Sequence, residues 1–130
     1  VSSPVWLRKD VILAVHEMQL AEHGGAVGVR DEGLLVSALA RAENLHACGE
    51  TDLCRLAAAY AFGIIRNHPF VDGNKRAGLL AAYVFLKVNG IDLMAGEVEA
   101  TTAILSLASG DTGEEDFARW LRSHVRGALR

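Results

Sequence analysis

Apolar residues recur at helical spacing along almost the whole chain. Between Arg8 and His23, Val11, Val15 and Met18, flanked by Ile12, Leu13 and Leu20, form one stripe and predict a first helix. Gly24, Gly25 and Gly28 interrupt the pattern and predict a pliable loop. Asp31 stands as an N-cap ahead of Leu34, Leu35, Ala38, Leu39 and Ala42, so a second helix is expected to about Asn44. A third opens at Thr51 or Asp52 and runs to Arg66. Its apolar residues, Leu53, Leu56, Ala57, Tyr60, Ala61, Ile64 and Ile65, cover most of its circumference, as in a central helix.

A fourth helix, Asn74 to Asn89, carries Leu79, Leu80, Ala81, Val84, Phe85 and Val88, with Gly90 to stop it. Ile91 to Met94 reads as a short extended piece. A fifth helix follows from about Gly96 to Ser109, with Val98, Ile104 and Leu107 among its apolar positions. After the Gly110-Asp111 turn, Thr112-Gly113-Glu114-Glu115 has the pattern of a capping box. It opens a last helix with Phe117, Trp120, Leu121 and Val125 inward.

The expected architecture is all-α: one compact domain over residues 1–130, about six helices, with no repeat or low-complexity tract. Residues 1–7 form a lead-in arm that Trp6 pins to the body. Gly63 and Gly78 lie inside helices, where each costs about 1 kcal/mol relative to alanine; a close approach of the third and fourth helices accounts for both. Absence of strand patterns excludes a Rossmann or kinase fold, and no GxxxxGK[ST] loop is present.

Composition narrows the class. The chain has 130 residues, 51% hydrophobic and 22% charged, which argues against disorder. A net charge of −3, from 13 basic and 16 acidic residues, argues against a membrane-surface or direct nucleic-acid binder. No apolar run is long enough to span a bilayer and no signal peptide is evident, so a cytoplasmic protein is expected. Cys48 and Cys54 lack a CxxC spacing and are expected to be free. His16-Glu17 opens like HExxH, but Leu20 replaces the second histidine, so His16 is read as structural.

The chemistry concentrates in His68-Pro69-Phe70-Val71-Asp72-Gly73-Asn74-Lys75-Arg76, between the third and fourth helices. Pro69 disfavours a helical His68 and predicts an extended residue that displays its imidazole. Phe70 and Val71 are expected to anchor the loop. Asp72-Gly73 makes a turn into a helix whose first N–H groups, with Lys75 and Arg76, form an anion cradle of Gly73, Asn74, Lys75 and Arg76. Asp72 beside this nest suits a magnesium ion shared with phosphates, and His68 suits a base that takes a proton from a hydroxyl. Each residue alone has a plainer reading: a helix-terminal cation, a cap or a solvated pair. One cap, however, needs only one of them.

The segment HPFVDGNKR resembles the signature of the Fic fold, whose members carry HPF, an acidic residue and GNGR. The lysine at position 75 is similar to the Doc (death-on-curing) branch of toxin-antitoxin toxins. The likeness extends to Gly24-Gly25, Arg30-Asp31, Ser37-Ala38-Leu39 and Asn89-Gly90. It implies a compact helical domain in which His68 is general base, Asp72 the magnesium ligand, and Gly73 to Arg76 the cradle for ATP. It further implies that the nucleotide lies reversed, its γ-phosphate going to a hydroxyl of elongation factor Tu, and that an antitoxin acts in trans.

Lys75 in place of the second glycine, and Leu79 where many AMP-transferring members carry arginine, depart from the wider pattern. An AMP or other nucleotidyl transferase is the first alternative, and a non-catalytic co-repressor that binds an antitoxin the second. No glutamate has Ser or Thr four residues before it, so inhibition in cis by the family's inhibitory motif is not expected. By the same resemblance, residues 24–31 are a candidate flap for aligning a target chain; a simple connector is the alternative.

Overall fold

The computed structural model describes residues 3–127; positions 1 and 2 of the expected arm lie outside that range. Six helices follow in order: α1 Lys9–His23, α2 Glu32–Ala47, α3 Leu53–Asn67, α4 Asn74–Val88, α5 Glu97–Ser109 and α6 Glu114–Ser123. The all-α expectation is borne out. A minimal antiparallel sheet joins β1, Ile91–Leu93, to β2, Val125–Gly127, with Leu93 opposite Val125.

Capping chemistry sets the helix starts. Asp31 accepts from the Leu34 N–H at 2.9 Å and Asp52 from the Cys54 N–H at 2.9 Å, satisfying donors that have no intrahelical partner. α3 is the axis of the domain, packed on α2, α4 and α6, with Ala57, Ala58, Ala59, Tyr60 and Ala61 fully buried. The lead-in arm is pinned as expected. Trp6 stacks on Phe85, the Leu7 N–H donates to the buried Tyr60 hydroxyl at 3.1 Å, and Asn89 brackets Val5 through both its backbone groups. Burial pushes the Tyr60 phenol up to about 12 and the Cys54 thiol up to about 11, so Cys54 is an inert core residue; both cysteines are free.

The structure corrects several details. Met18 and Val98, read as positions of the apolar stripes, are exposed, and α1 buries Ile12, His16 and Leu20. The last helix stops at Ser123, and Val125 lies in β2, because the Met94 N–H takes the His124 carbonyl at 2.6 Å and draws the chain into a pairing with β1. That helix is capped at Gly113, whose N–H is taken by Asp116 at 2.9 Å, one residue beyond the expected Thr112 box. The second helix runs on to Ala47, three residues past the expected end. Finally, the two helical glycines serve different contacts. A Cβ on Gly78 would meet the Ala61 carbonyl oxygen of α3 at 3.2 Å, as expected, but one on Gly63 would meet the Ala38 carbonyl oxygen of α2 at 2.9 Å.

The Gly63 clash is with backbone, which has no rotamer to escape into. Gly63→Ala is therefore expected to destabilise the protein by about 1–2 kcal/mol, overpacking outweighing the gain in helix propensity. Urea unfolding reads this as a lower midpoint at unchanged slope, and a midpoint at or above that of the natural chain would show that α2 yields freely.

Candidate active site

The motif forms a loop between α3 and α4, and its interior face is built from hydrogen bonds. Phe70 is fully buried and stacks on His16 of α1, ring centroids 3.8 Å apart and planes 13° from parallel. His16, itself buried, donates from Nε2 to the Asp72 carbonyl at 2.7 Å. Asn74 accepts from the Phe70 N–H at 3.0 Å and donates to the Phe70 carbonyl at 2.9 Å. Both backbone groups of a buried residue are thus satisfied by one amide side chain. Val71, expected to help anchor the loop, is instead 48% exposed; the apolar anchoring falls to Phe70 and the fully buried Pro69.

Four residues of the preceding loop lie against the motif. Val29 and Phe70 form an antiparallel bridge, the Val71 N–H donates to the Gly28 carbonyl at 3.0 Å, the Arg30 N–H to the Pro69 carbonyl at 2.6 Å, and the Ala26 N–H to Asp72 Oδ2 at 3.3 Å. Gly25 sits so close that a Cβ there would stand 2.9 Å from Asp72 Oδ2, at a φ of +128° that favours glycine.

His68 departs from the extended conformation expected before proline. Its φ of 51° and ψ of 54° are left-handed, and it is the one non-glycine residue with positive φ among those described. Pro69 excludes a further right-handed turn without choosing the replacement. The His68 N–H still closes the last helical bond, on the Ile64 carbonyl at 2.9 Å, while the carbonyls of residues 67–69 are held from outside the helix. The side chain is exposed.

All of the candidate residues, His68, Asp72, Gly73, Asn74, Lys75 and Arg76, line one cleft of about 680 Å3. Gln19, Glu22 and His23 of α1 and Glu97, Thr101 and Ile104 of α5 complete its walls. Gly73 enters α4 at a φ of +76°, and the first α4 bond runs from the Ala77 N–H to the Gly73 carbonyl at 2.9 Å. The N–H groups of Asn74, Lys75 and Arg76 therefore have no acceptor within the helix, and the helix dipole is positive there. Lys75 and Arg76 are exposed, and neither is ion-paired among the described residues. Two cations at a helix start are unfavourable by themselves, so this mouth is suited to an anion.

The Gly73 N–H, expected to be free for an anion, is instead turned to Asp72 Oδ1 at 2.8 Å, and with the Ala26 N–H on Oδ2 each oxygen of that exposed carboxylate accepts one amide and keeps a further lone pair for a cation. No group of three or more His, Cys, Asp or Glu side chains able to hold a metal occurs among the described residues. One carboxylate fits a cation such as Mg2+ that takes its remaining oxygens from water and phosphate, and does not fit a caged zinc or calcium ion.

In the sequence Arg30 is legible only as a member of the candidate flap 24–31, and His16 only as a structural residue. Their roles rest on contacts with residues 37 to 56 positions away, which no local pattern reveals.

A helical domain with this loop between its two central helices belongs to the Fic/DOC family, whose pattern matches residues 6–86. Among individual proteins, the chain is similar to the protein kinase Doc of Escherichia phage P1: 30% identical over 114 residues, covering 87% of this chain and 90% of that relative. It is also similar to the toxin Doc of Mycolicibacterium smegmatis: 45% identical over 75 residues, covering 55% of this chain and 57% of the relative. No helix among the described residues is long and apolar enough to cross a membrane.

Proposed function

We propose that this protein is a Doc-type toxin that moves the γ-phosphate of ATP to a hydroxyl side chain of a translation factor, elongation factor Tu by likeness to the Doc branch. The supporting observation is the shared cleft: a histidine at the exit of α3, a carboxylate in the turn, and an unsatisfied, doubly cationic mouth of α4. The kinase name of the phage relative favours phosphate over AMP as the group moved.

In this reading the His68 imidazole accepts the target hydroxyl proton as that oxygen bonds to the γ-phosphorus. The bond to the bridging oxygen breaks and ADP leaves. The amides of Asn74, Lys75 and Arg76, with the two side-chain cations, offset phosphate charge. Asp72 would hold Mg2+, which supplies charge neutralisation at the phosphates. The Asn74 side chain acts on the loop, so its direct contribution to the cradle is its main-chain N–H. An antitoxin acting in trans is the regulator, and a translation factor as target places the work in the cytoplasm.

The test is the mass of the adduct on elongation factor Tu after incubation with ATP and Mg2+. A gain of one phosphate is expected. An AMP adduct would transfer the assignment to nucleotidyl transfer, and no adduct alongside tight antitoxin binding would leave a co-repressor without catalysis.

A further inference from the structure

One residue outside the cleft holds three consecutive carbonyls at the exit of α3. Arg30 donates from Nε to the His68 carbonyl at 2.7 Å, from Nη2 to the Asn67 carbonyl at 2.9 Å, and from its main-chain N–H to the Pro69 carbonyl at 2.6 Å. The orientation of the Asn67 carbonyl relative to that of His68 depends on only two soft torsions, the φ and ψ of His68. A guanidinium is a planar fork with fixed donor directions. Its bond to both oxygens therefore restricts those two torsions together. The restricted residue is the one non-glycine with positive φ among those described, a conformation that persists only where surrounding contacts enforce it.

We propose that Arg30 is a positioning residue that locks His68 in the left-handed conformation and so directs its imidazole into the cleft. It acts from behind the loop, since Arg30 is exposed and is not among the residues lining the cleft. Simple capping of the last α3 carbonyls does not require it, because exposed carbonyls at a helix end are satisfied by water. The inference rests on the proposed function for its catalytic consequence and on geometry alone for its conformational one.

The experiment uses Arg30→Ala in the full chain, with two readouts. The first is the intraresidue amide-to-Hα NOE of His68 by NMR in the nucleotide-free protein, which is strong at a left-handed φ, where the two protons lie close, and weaker at negative φ. It is expected to move from its left-handed value toward averaging over several conformers. The second is steady-state phosphate transfer: kcat is expected to fall about 10- to 100-fold, as for a misplaced base. KM for ATP is expected to stay within about twofold, and added guanidinium to restore part of kcat. Should Arg30→Ala fail to fold, Arg30→Lys, which keeps the charge but loses the fork, is read in the same way with a smaller loss.

A His68 NOE identical to that of the natural chain overturns the inference, as does a rise in KM for ATP with kcat intact. If the natural chain transfers no phosphate, the proposed function fails by itself, and the His68 NOE still decides the role of Arg30.

Discussion

His68→Ala is expected to reduce phosphate transfer by about 10²- to 10⁴-fold, the usual contribution of a positioned general base. The imidazole is exposed at the exit of α3 and takes no part in the core, so the folded state keeps its packing. Histidine is found in the left-handed region more often than alanine, so the unfolding midpoint should fall slightly and no more. ATP affinity should also persist, since the cations and free amides of α4 are untouched. The separation of effects is the diagnostic: a large loss in kcat with stability and nucleotide binding retained. Equal transfer rates for the two proteins would remove His68 from the chemistry, whatever the fate of the rest of the site.

Asn74→Ala should have the largest effect on stability. Its side chain satisfies both the N–H and the carbonyl of Phe70, in a region where Phe70 is fully buried and Asn74 itself only 4% exposed. Truncation leaves two buried polar groups without partners at about 1–3 kcal/mol each, so a total loss of about 2–6 kcal/mol is expected. For a domain of this size that is a fall in Tm of roughly 10 °C or more, checked by thermal unfolding monitored by circular dichroism. Transfer should fall as well, because Asp72 and His68 are carried by the loop that Asn74 ties down. An unchanged Tm would mean that water replaces the amide at Phe70 and that the His16 stack and the bonds from residues 26–30 suffice to anchor the loop.

Much of the fold was legible because helix periodicity is a local property. The existence and order of the helices, the Asp31 cap and the central place of α3 follow from residues within a few turns of one another, whereas the inward face of α1 was misplaced, centred on Val11, Val15 and Met18 instead of Ile12, His16 and Leu20. The candidate site was legible for a related reason: nine consecutive residues carry a base, an acid, a turn and two cations, so one short loop keeps them together. Less was readable at β2, where three residues have no periodicity to detect and the pairing with β1 spans more than thirty positions. The Gly63 contact was misassigned because a glycine indicates that something comes close, without indicating what.

Taken alone, then, the chain of amino acids determined a helical domain, the order of its helices, and which residues stand at the junction of the two central ones. Tertiary structure decided how that junction is shaped. Pro69 forbids one conformation at His68, but the left-handed one is selected by Arg30, 38 residues away in sequence, and the turn carrying Asp72 is held by His16 across 56. Backbone torsions at a loop are nearly degenerate in energy until hydrogen bonds from distant segments distinguish them. Those bonds exist only once the chain has folded.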